Sequence, residues 1–501
     1  MKKLINIFVI SQIANCQLST ANLFLLFPIT AFCLPAIALA QAGQSQQLTA
    51  DTSLANQFLQ DAMTLQKFAK YDSSTYYFEK ASEIYLLFLR GTTAGLDSGV
   101  GSRATNNVEV EAEAKDSSLV SDRLKAPSPS GEEVGGEVFC REQYIKCLYL
   151  TGYNYNLQAN YVKALKYANK ALKTGLKILG EDNKHLATAY VLLGIIYNYM
   201  GAYDKSLKHL EKVVKKQISM VGKNHALVAT SYNNLGVVHL NKGDYDEAMM
   251  YYKRALSIQL DTFGTYHPLT ATSYNNMGNV YADKGDYDEA MMYHKRALSI
   301  RVKTLGPNHP RVAASYNNMG NVFDVKGDYD EAMMYHKRAL SIRVKTFGAG
   351  HPMVAKSYNN MGLVYTAKGG YDEAIRYHQK SISIKLKTLG ASHPDMAMSY
   401  TNIGSVYHDL KEYEKAMEYQ YKALTIYRKT FADFHPDVGM VYNSIASIYY
   451  GKWEMGNGKW KKRNKEIEEN LHLPSSIKHL TYLDTALYYY QKAIGALVAP
   501  S

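Results

Sequence analysis

Cysteine is scarce: the 501 residues hold four, and two of them, Cys16 and Cys33, lie within the first forty. Cys140 and Cys147 would stand about 10 Å apart along one helix axis, too far to bridge, so no disulfide framework holds the chain. Neither Cys16, after Asn15, nor Cys33, after Phe32, has the small preceding residue that lipid modification calls for. Charge is thin: a net +12 over this length admits anionic partners but names none. Catalytic signatures are missing, with no H-E-x-x-H, no G-x-S-x-G and no dinucleotide fingerprint after a strand. Gly456-Asn457-Gly458-Lys459 is no phosphate loop, because Trp460 stands where a Ser or Thr is needed. The chain therefore reads as a non-enzyme with no cofactor and no metal. An apolar fraction of 47% with mean hydropathy −0.29 excludes wholesale disorder and a polytopic membrane protein.

At the N-terminus, Lys2 and Lys3 precede apolar residues 4–10, and a second apolar run over 23–40 closes on Ala38-Leu39-Ala40. That ending has the A-x-A form of a signal-peptidase site. Residues 1–40 are expected to be a signal peptide that exports the chain to the periplasm or beyond, with an uncleaved membrane anchor as the alternative.

What the chain has in abundance is tyrosine, 43 in all, and it is periodic. Tyr190, Tyr232, Tyr274, Tyr316, Tyr358, Tyr400 and Tyr442 are each 42 residues apart, and Gly194, Gly236, Gly278, Gly320, Gly362 and Gly404 keep the same step. A fixed period of this size means a stacked repeat array. Within one unit, Pro310 opens a helix whose apolar stripe runs Val312, Tyr316, Met319, Phe323 at helical spacing. Lys326-Gly327 ends it, and Asp328 with Glu331 reads as a capping box for a second helix. That helix runs through Ala332, Tyr335, Ala339 and Ile342 to about Phe347, where Gly348 stops it. Gly320, Ala332 and Ala339 are small where two helices approach closely. One such pair cannot bury its apolar face alone and must stack.

These residues resemble the tetratricopeptide repeat, and the 42-residue period with its G-x-x-HP link is similar to the kinesin light chain type. The family pattern falls on Tyr274, Met277, Gly278, Tyr281, Ala290, His294 and Ala297. His294, His336, His378 and Gln420 stand where an aromatic is usual. The resemblance implies an all-α, right-handed superhelical solenoid of antiparallel helix pairs. The expected layout is the signal peptide over 1–40, a divergent helix pair over 41–90 and an acidic, aromatic-free linker over 91–137. The array then occupies 138–450, a basic insertion with both tryptophans, Trp453 and Trp460, occupies 451–479, and the last second helix 480–501. The first pair either docks on the array or floats.

Candidate functional positions follow the same period. His267, His309, His351, His393 and His435 each precede the start of a helix and read as helix-start chemistry; the row His294, His336, His378 reads as interhelix packing. Asn233-Asn234, Asn275-Asn276, Asn317-Asn318 and Asn359-Asn360 repeat a residue that disfavours helix interiors, so something compensates. In the resembled family the first helix lines a concave groove that holds peptides. The resemblance implies Asn234, Asn276, Asn318, Asn360 and Asn402 as groove residues, with Asn279, Asn321 and Ser405 one turn on. The alternative is that the amides bond between repeats and hold the stack. The cluster Lys459 to Lys465 suits a solvated extension or, less directly, phosphate, RNA or a membrane surface. The expected function is a non-enzymatic scaffold that binds a peptide segment of a protein partner. The C-terminal stretch also looks like the last repeat before caspase-like CHAT peptidase domains, which implies a sensor half of a split effector as the alternative.

Overall fold

The computed structural model describes residues 46–67, 71–90, 131–180, 183–433, 435–454 and 482–498. The expected signal peptide, residues 91–130 of the expected linker and the basic cluster with Trp460 lie outside the described residues. Among the described residues there are eighteen helices and no strand. They are α1 (Gln46–Lys67), α2 (Tyr71–Arg90), α3 (Gly131–Leu157), α4 (Tyr161–Leu179), α5 (Lys184–Tyr199), α6 (Tyr203–Val221), α7 (Ala226–Lys242), α8 (Tyr245–Phe263) and α9 (Pro268–Lys284). There follow α10 (Tyr287–Leu305), α11 (Pro310–Lys326), α12 (Tyr329–Phe347), α13 (Pro352–Ala367), α14 (Tyr371–Leu389), α15 (Pro394–Asp409), α16 (Tyr413–Thr430), α17 (Pro436–Glu454) and α18 (Tyr482–Val498). Two bounds differ from expectation. α3 starts at Gly131, inside the range read as linker. α17 runs on to Glu454 and so takes in Trp453.

The helices form two compact units that divide between Ile196 and Tyr197. In the first, Leu59 and Ala62 of α1 and Phe78 and Ala81 of α2 are buried, and Ser74 of α2 donates to the Ala62 carbonyl of α1 at 2.8 Å. This pair docks on α3 and α4: the hydroxyls of Tyr155 and Tyr167 donate to Glu79 Oε1 at 3.0 and 2.8 Å, and Asn154 Nδ2 donates to the Tyr71 carbonyl at 2.7 Å. Cys140 and Cys147 are free thiols, both buried.

In the second unit each repeat is built the same way. Proline occupies the first turn of α9, α11, α13 and α15, where its missing N–H costs nothing. The histidine before it is the N-cap: His309 Nδ1 accepts the Arg311 N–H at 3.1 Å, and His225, His267, His351, His393 and His435 do the same. Gly327 ends α11 at φ 85°, a left-handed conformation that a side chain would strain. The expected capping box at Asp328 is not made. Asp328 occupies the N-cap of α12, but its ψ of 66° differs from the extended backbone of a capping residue, and its side chain makes no cap bond. The aspartate two positions on is engaged instead, between repeats: Lys326 pairs with Asp288 at 2.8 Å and Lys368 with Asp330 at 2.6 Å.

Small residues sit where expected, with Ala332 and Ala339 fully buried. A side chain on Gly320 would lie 2.7 Å from the His336 ring, so glycine is what lets the two helices of the pair meet. Between first and second helices runs a column of stacked rings, Tyr281 on Tyr293, Phe323 on Tyr335, Tyr365 on Tyr377 and Tyr407 on Tyr419, at centroid distances of 5.3 to 5.6 Å. Such pairs contribute about 0.5–1.5 kcal/mol each beyond their buried area. No described helix is long and apolar enough to cross a membrane.

Candidate functional site

Helices α7, α9, α11, α13 and α15, the first of each pair, carry polar side chains where a packed helix normally carries apolar ones. Asn234, Asn276, Asn318, Asn360 and Asn402 are all buried. Four of them donate to the preceding repeat: Asn276 Nδ2 to Asn233 Oδ1 at 3.4 Å, Asn318 to Asn275 at 3.2 Å, Asn360 to Asn317 at 3.0 Å and Asn402 to Asn359 at 3.0 Å. Asn279 and Asn321, one turn on, accept from Asn318 and Asn360. Ser405 bonds to the Thr401 carbonyl of its own helix. The amides expected to face a ligand thus knit the stack together, which compensates for their poor helix propensity. Their capacity is not used up. Asn276 Oδ1, Asn318 Oδ1, Asn317 Nδ2 and Asn321 Nδ2 are buried with no partner among the described residues.

A second column escaped the sequence reading although its spacing is visible there: Gln217, Gln259, Arg301, Arg343 and Lys385 are 42 residues apart near the ends of the second helices. Each meets the serine in the second turn of the next first helix. Ser231 donates to Gln217 Oε1 at 2.8 Å and Ser273 to Gln259 Oε1 at 2.7 Å. Arg301 Nη1 donates to Ser315 Oγ at 2.7 Å and to Asn275 Oδ1 at 3.1 Å; Arg343 Nη1 donates to Ser357 at 2.7 Å and to Asn317 at 3.3 Å. Lys385 Nζ donates to Ser399 at 2.8 Å. Arg301 is 0% exposed and Arg343 2%, yet neither meets a carboxylate among the described residues. Arg301 Nε and Nη2 and Arg343 Nε have no partner among the described residues.

Two half-buried cations stand beside this column, Arg311 at the start of α11 and Lys356 on α13. Burial and the neighbouring Arg311 push Arg301 down to about 9, burial alone pushes Arg343 to about 10, and burial with Arg343 pushes Lys356 to about 7. Asp395 is the carboxylate in their midst. Surrounding protein raises its pKa, but His393, Lys385 and Lys356 outweigh that and hold it below the ordinary carboxylate range, with 48% of its side chain open to solvent.

The remaining polar side chains have other duties. His294, His336 and His378 are buried against Gly278, Gly320 and Gly362, and burial pushes each down to about 3, so they are neutral packing residues. Asp324, near the end of α11, is pushed by burial up to about 7. Among the described residues no three His, Cys, Asp or Glu side chains converge in a way that would hold a metal ion.

A family model described as tetratricopeptide repeat matches residues 147–218, 227–301, 270–343 and 311–387, and a second of the same description matches 396–437, together more than half of the chain. No curated protein matches it. Among solved structures, BtubC (BKLC) from P. vanneervenii is 25% identical with TM-score 0.37, the match covering 43% of this chain and 86% of that one. A Podosopora anserina putative kinesin light chain with nearly identical TPR-like repeats is 24% identical with TM-score 0.34, covering 40% and 95%. Aspartyl phosphate phosphatase F from Bacillus subtilis is 16% identical with TM-score 0.47, covering 77% and 95%.

Proposed function

The chain belongs to the tetratricopeptide repeat family, and from that premise we propose that it is a non-enzymatic scaffold whose first helices hold a peptide segment of a protein partner. What supports this reading is the match to the repeat family over more than half of the chain, with the asparagine row of the first helices at the groove positions that the resemblance implies. The same amides also bind the stack, so alanine substitution there removes scaffold and ligand contacts together. The test must therefore leave them intact. A photo-crosslinking amino acid is placed at Ala314, half-buried on α11, or at Met292, exposed on the outer side of α10, in the full chain. Partners are captured and identified by mass spectrometry. Crosslinking from position 314 and not from 292 is expected; the reverse pattern overturns the reading. Export, proposed from the N-terminal apolar run, makes extracytoplasmic proteins the extract to search first.

A further inference from the structure

The second helices carry on their exposed faces a charge pattern that the stack does not use. On α10, Asp288 and Glu289 stand four and three residues before Met292, and Lys295 and Arg296 stand three and four residues after it. All five side chains are exposed, Met292 at 54%. At about 100° and 1.5 Å per residue they lie within about 60° of the methionine, the acids about 5 Å to one side of it along the axis and the bases about 5 Å to the other. The same offsets and signs recur about Met250 on α8 and Met334 on α12, which are 38% and 40% exposed. Three successive second helices thus present an acidic band, a methionine band and a basic band. The bands do not neutralise one another within a helix, because Glu289 and Lys295 are six residues apart, whereas helical ion pairs form at three or four. Neither makes an ion pair with any described residue, while Asp288 is held by Lys326 at 2.8 Å and Arg296 lies over the Tyr274 ring at 4.5 Å. The pattern stops on both sides. In α6 the methionine position holds Lys208, and Lys205 and Glu211 have the signs exchanged; in α14 it holds Arg376. In α16 it holds Glu418, which pairs within its own helix with Lys422 at 2.6 Å.

We propose that the exposed face of α8, α10 and α12 is where two copies of this chain meet, antiparallel, about a two-fold axis through the methionine band. A two-fold contact requires residue i of one copy to face j of the other while j faces i. A half-turn about Met292 brings the position three before it onto the position three after it, and likewise for four. Glu289 of one copy then faces Lys295 of the other, Asp288 faces Arg296, and methionine meets methionine. The signs are opposite at each of these pairs in all three helices, so the charges match whichever of the three helices meet. A partner of one sign, such as a polyanion, is repelled by one of the two bands, whereas the complement of this face is the face itself. Three helices roughly 10 Å apart, banded over about 12 Å, offer roughly 350 Å² per copy, under half of what a stable complex buries on each partner. The contact is therefore weak, and salt weakens it further because its ion pairs lie at a surface. It uses the second helices and does not depend on a peptide held by the first.

The experiment is sedimentation velocity on the full chain over about 1–200 µM, in about 20 mM and about 500 mM sodium chloride. The parent is compared with Glu247→Lys/Glu289→Lys/Glu331→Lys and with Lys253→Glu/Lys295→Glu/Lys337→Glu, all at exposed positions, with circular dichroism melts to confirm that both variants fold. The parent is expected to form a dimer with a dissociation constant of about 10–100 µM at the lower salt, weakened at least about tenfold at the higher. Each variant alone should stay monomeric, and an equimolar mixture of the two should regain the dimer, because each face now carries the charges that the other lacks. A parent that is monomeric throughout overturns the proposal, as does a dimer that both variants keep or a mixture that stays monomeric. The lysine variant raises the net charge and the glutamate variant lowers it. Tighter self-association of the glutamate variant than of the parent therefore makes association a matter of net charge and overturns the two-fold pairing. The salt comparison, and a photo-crosslinker at Met292 that should join two copies of the parent chain, need no charge variant to fold. An adduct of twice the chain's mass is distinct from a captured foreign protein, so this contact and the peptide-holding reading stand or fall separately.

Discussion

At the scale of single residues, this protein uses one position in each repeat for different purposes without changing the fold. His336 and its equivalents occupy a slot that Tyr252 fills against Gly236 two repeats earlier. The histidine is held neutral by burial, at about 3, against an ordinary value of 6.5, so between those pH values the unfolded chain binds the proton and the folded chain does not. Stability from this residue is intact above pH 6.5 and is lost as the pH falls toward 3. His336→Tyr removes that loss. In urea titrations the variant should gain on the parent by up to about 1.4 kcal/mol per pH unit on acidification below pH 6. A gap between the two that stays constant from pH 7 to pH 4 overturns the assignment of His336 as an unprotonated packing residue.

At the scale of helices, the caps are distributed unequally. The first helices α9, α11, α13 and α15 start on a His-Pro pair in which the ring nitrogen takes a backbone N–H, whereas the second helices α10, α12, α14 and α16 start on an aspartate, glycine or glutamate that makes no such bond. His309→Ala should therefore destabilise by about 1 kcal/mol, the usual loss of an N-cap, while Asp328→Ala costs only a few tenths. Paired urea melts at pH 7.5 decide the order, and a larger loss at Asp328 contradicts the cap geometry described above. The sequence made the opposite assignment legible, since Asp328 and Glu331 have the spacing of a capping box. Spacing carries no information on ψ, and ψ decides whether a carboxylate faces the helix end.

At the scale of the molecule, the first unit holds its outlying helix pair by a carboxylate and two phenols. Removing Glu79 leaves the hydroxyls of Tyr155 and Tyr167 without their acceptor, a loss of about 1–3 kcal/mol for hydrogen bonds to a charged group. Glu79→Ala should accelerate amide exchange across α1 and α2 by tenfold or more while leaving α9 to α14 unchanged. Uniform acceleration in both regions, or none in α1 and α2, contradicts a docking role for Glu79.

The sequence by itself determined the period, the two-helix unit, the glycine stops and the small contact residues. All of these follow from local propensity and from spacing along one chain, which repeat identically every 42 residues. It also contained the column from Gln217 to Lys385, but not its burial, because burial depends on which face of one helix meets the next repeat. Only the tertiary structure decided that the asparagines bond to each other across repeats, that Arg301 and Arg343 meet no carboxylate among the described residues, and that the first helix pair docks on α3 and α4. These are relations between side chains 26 to 88 residues apart, set by how helices stack, and no local pattern encodes them.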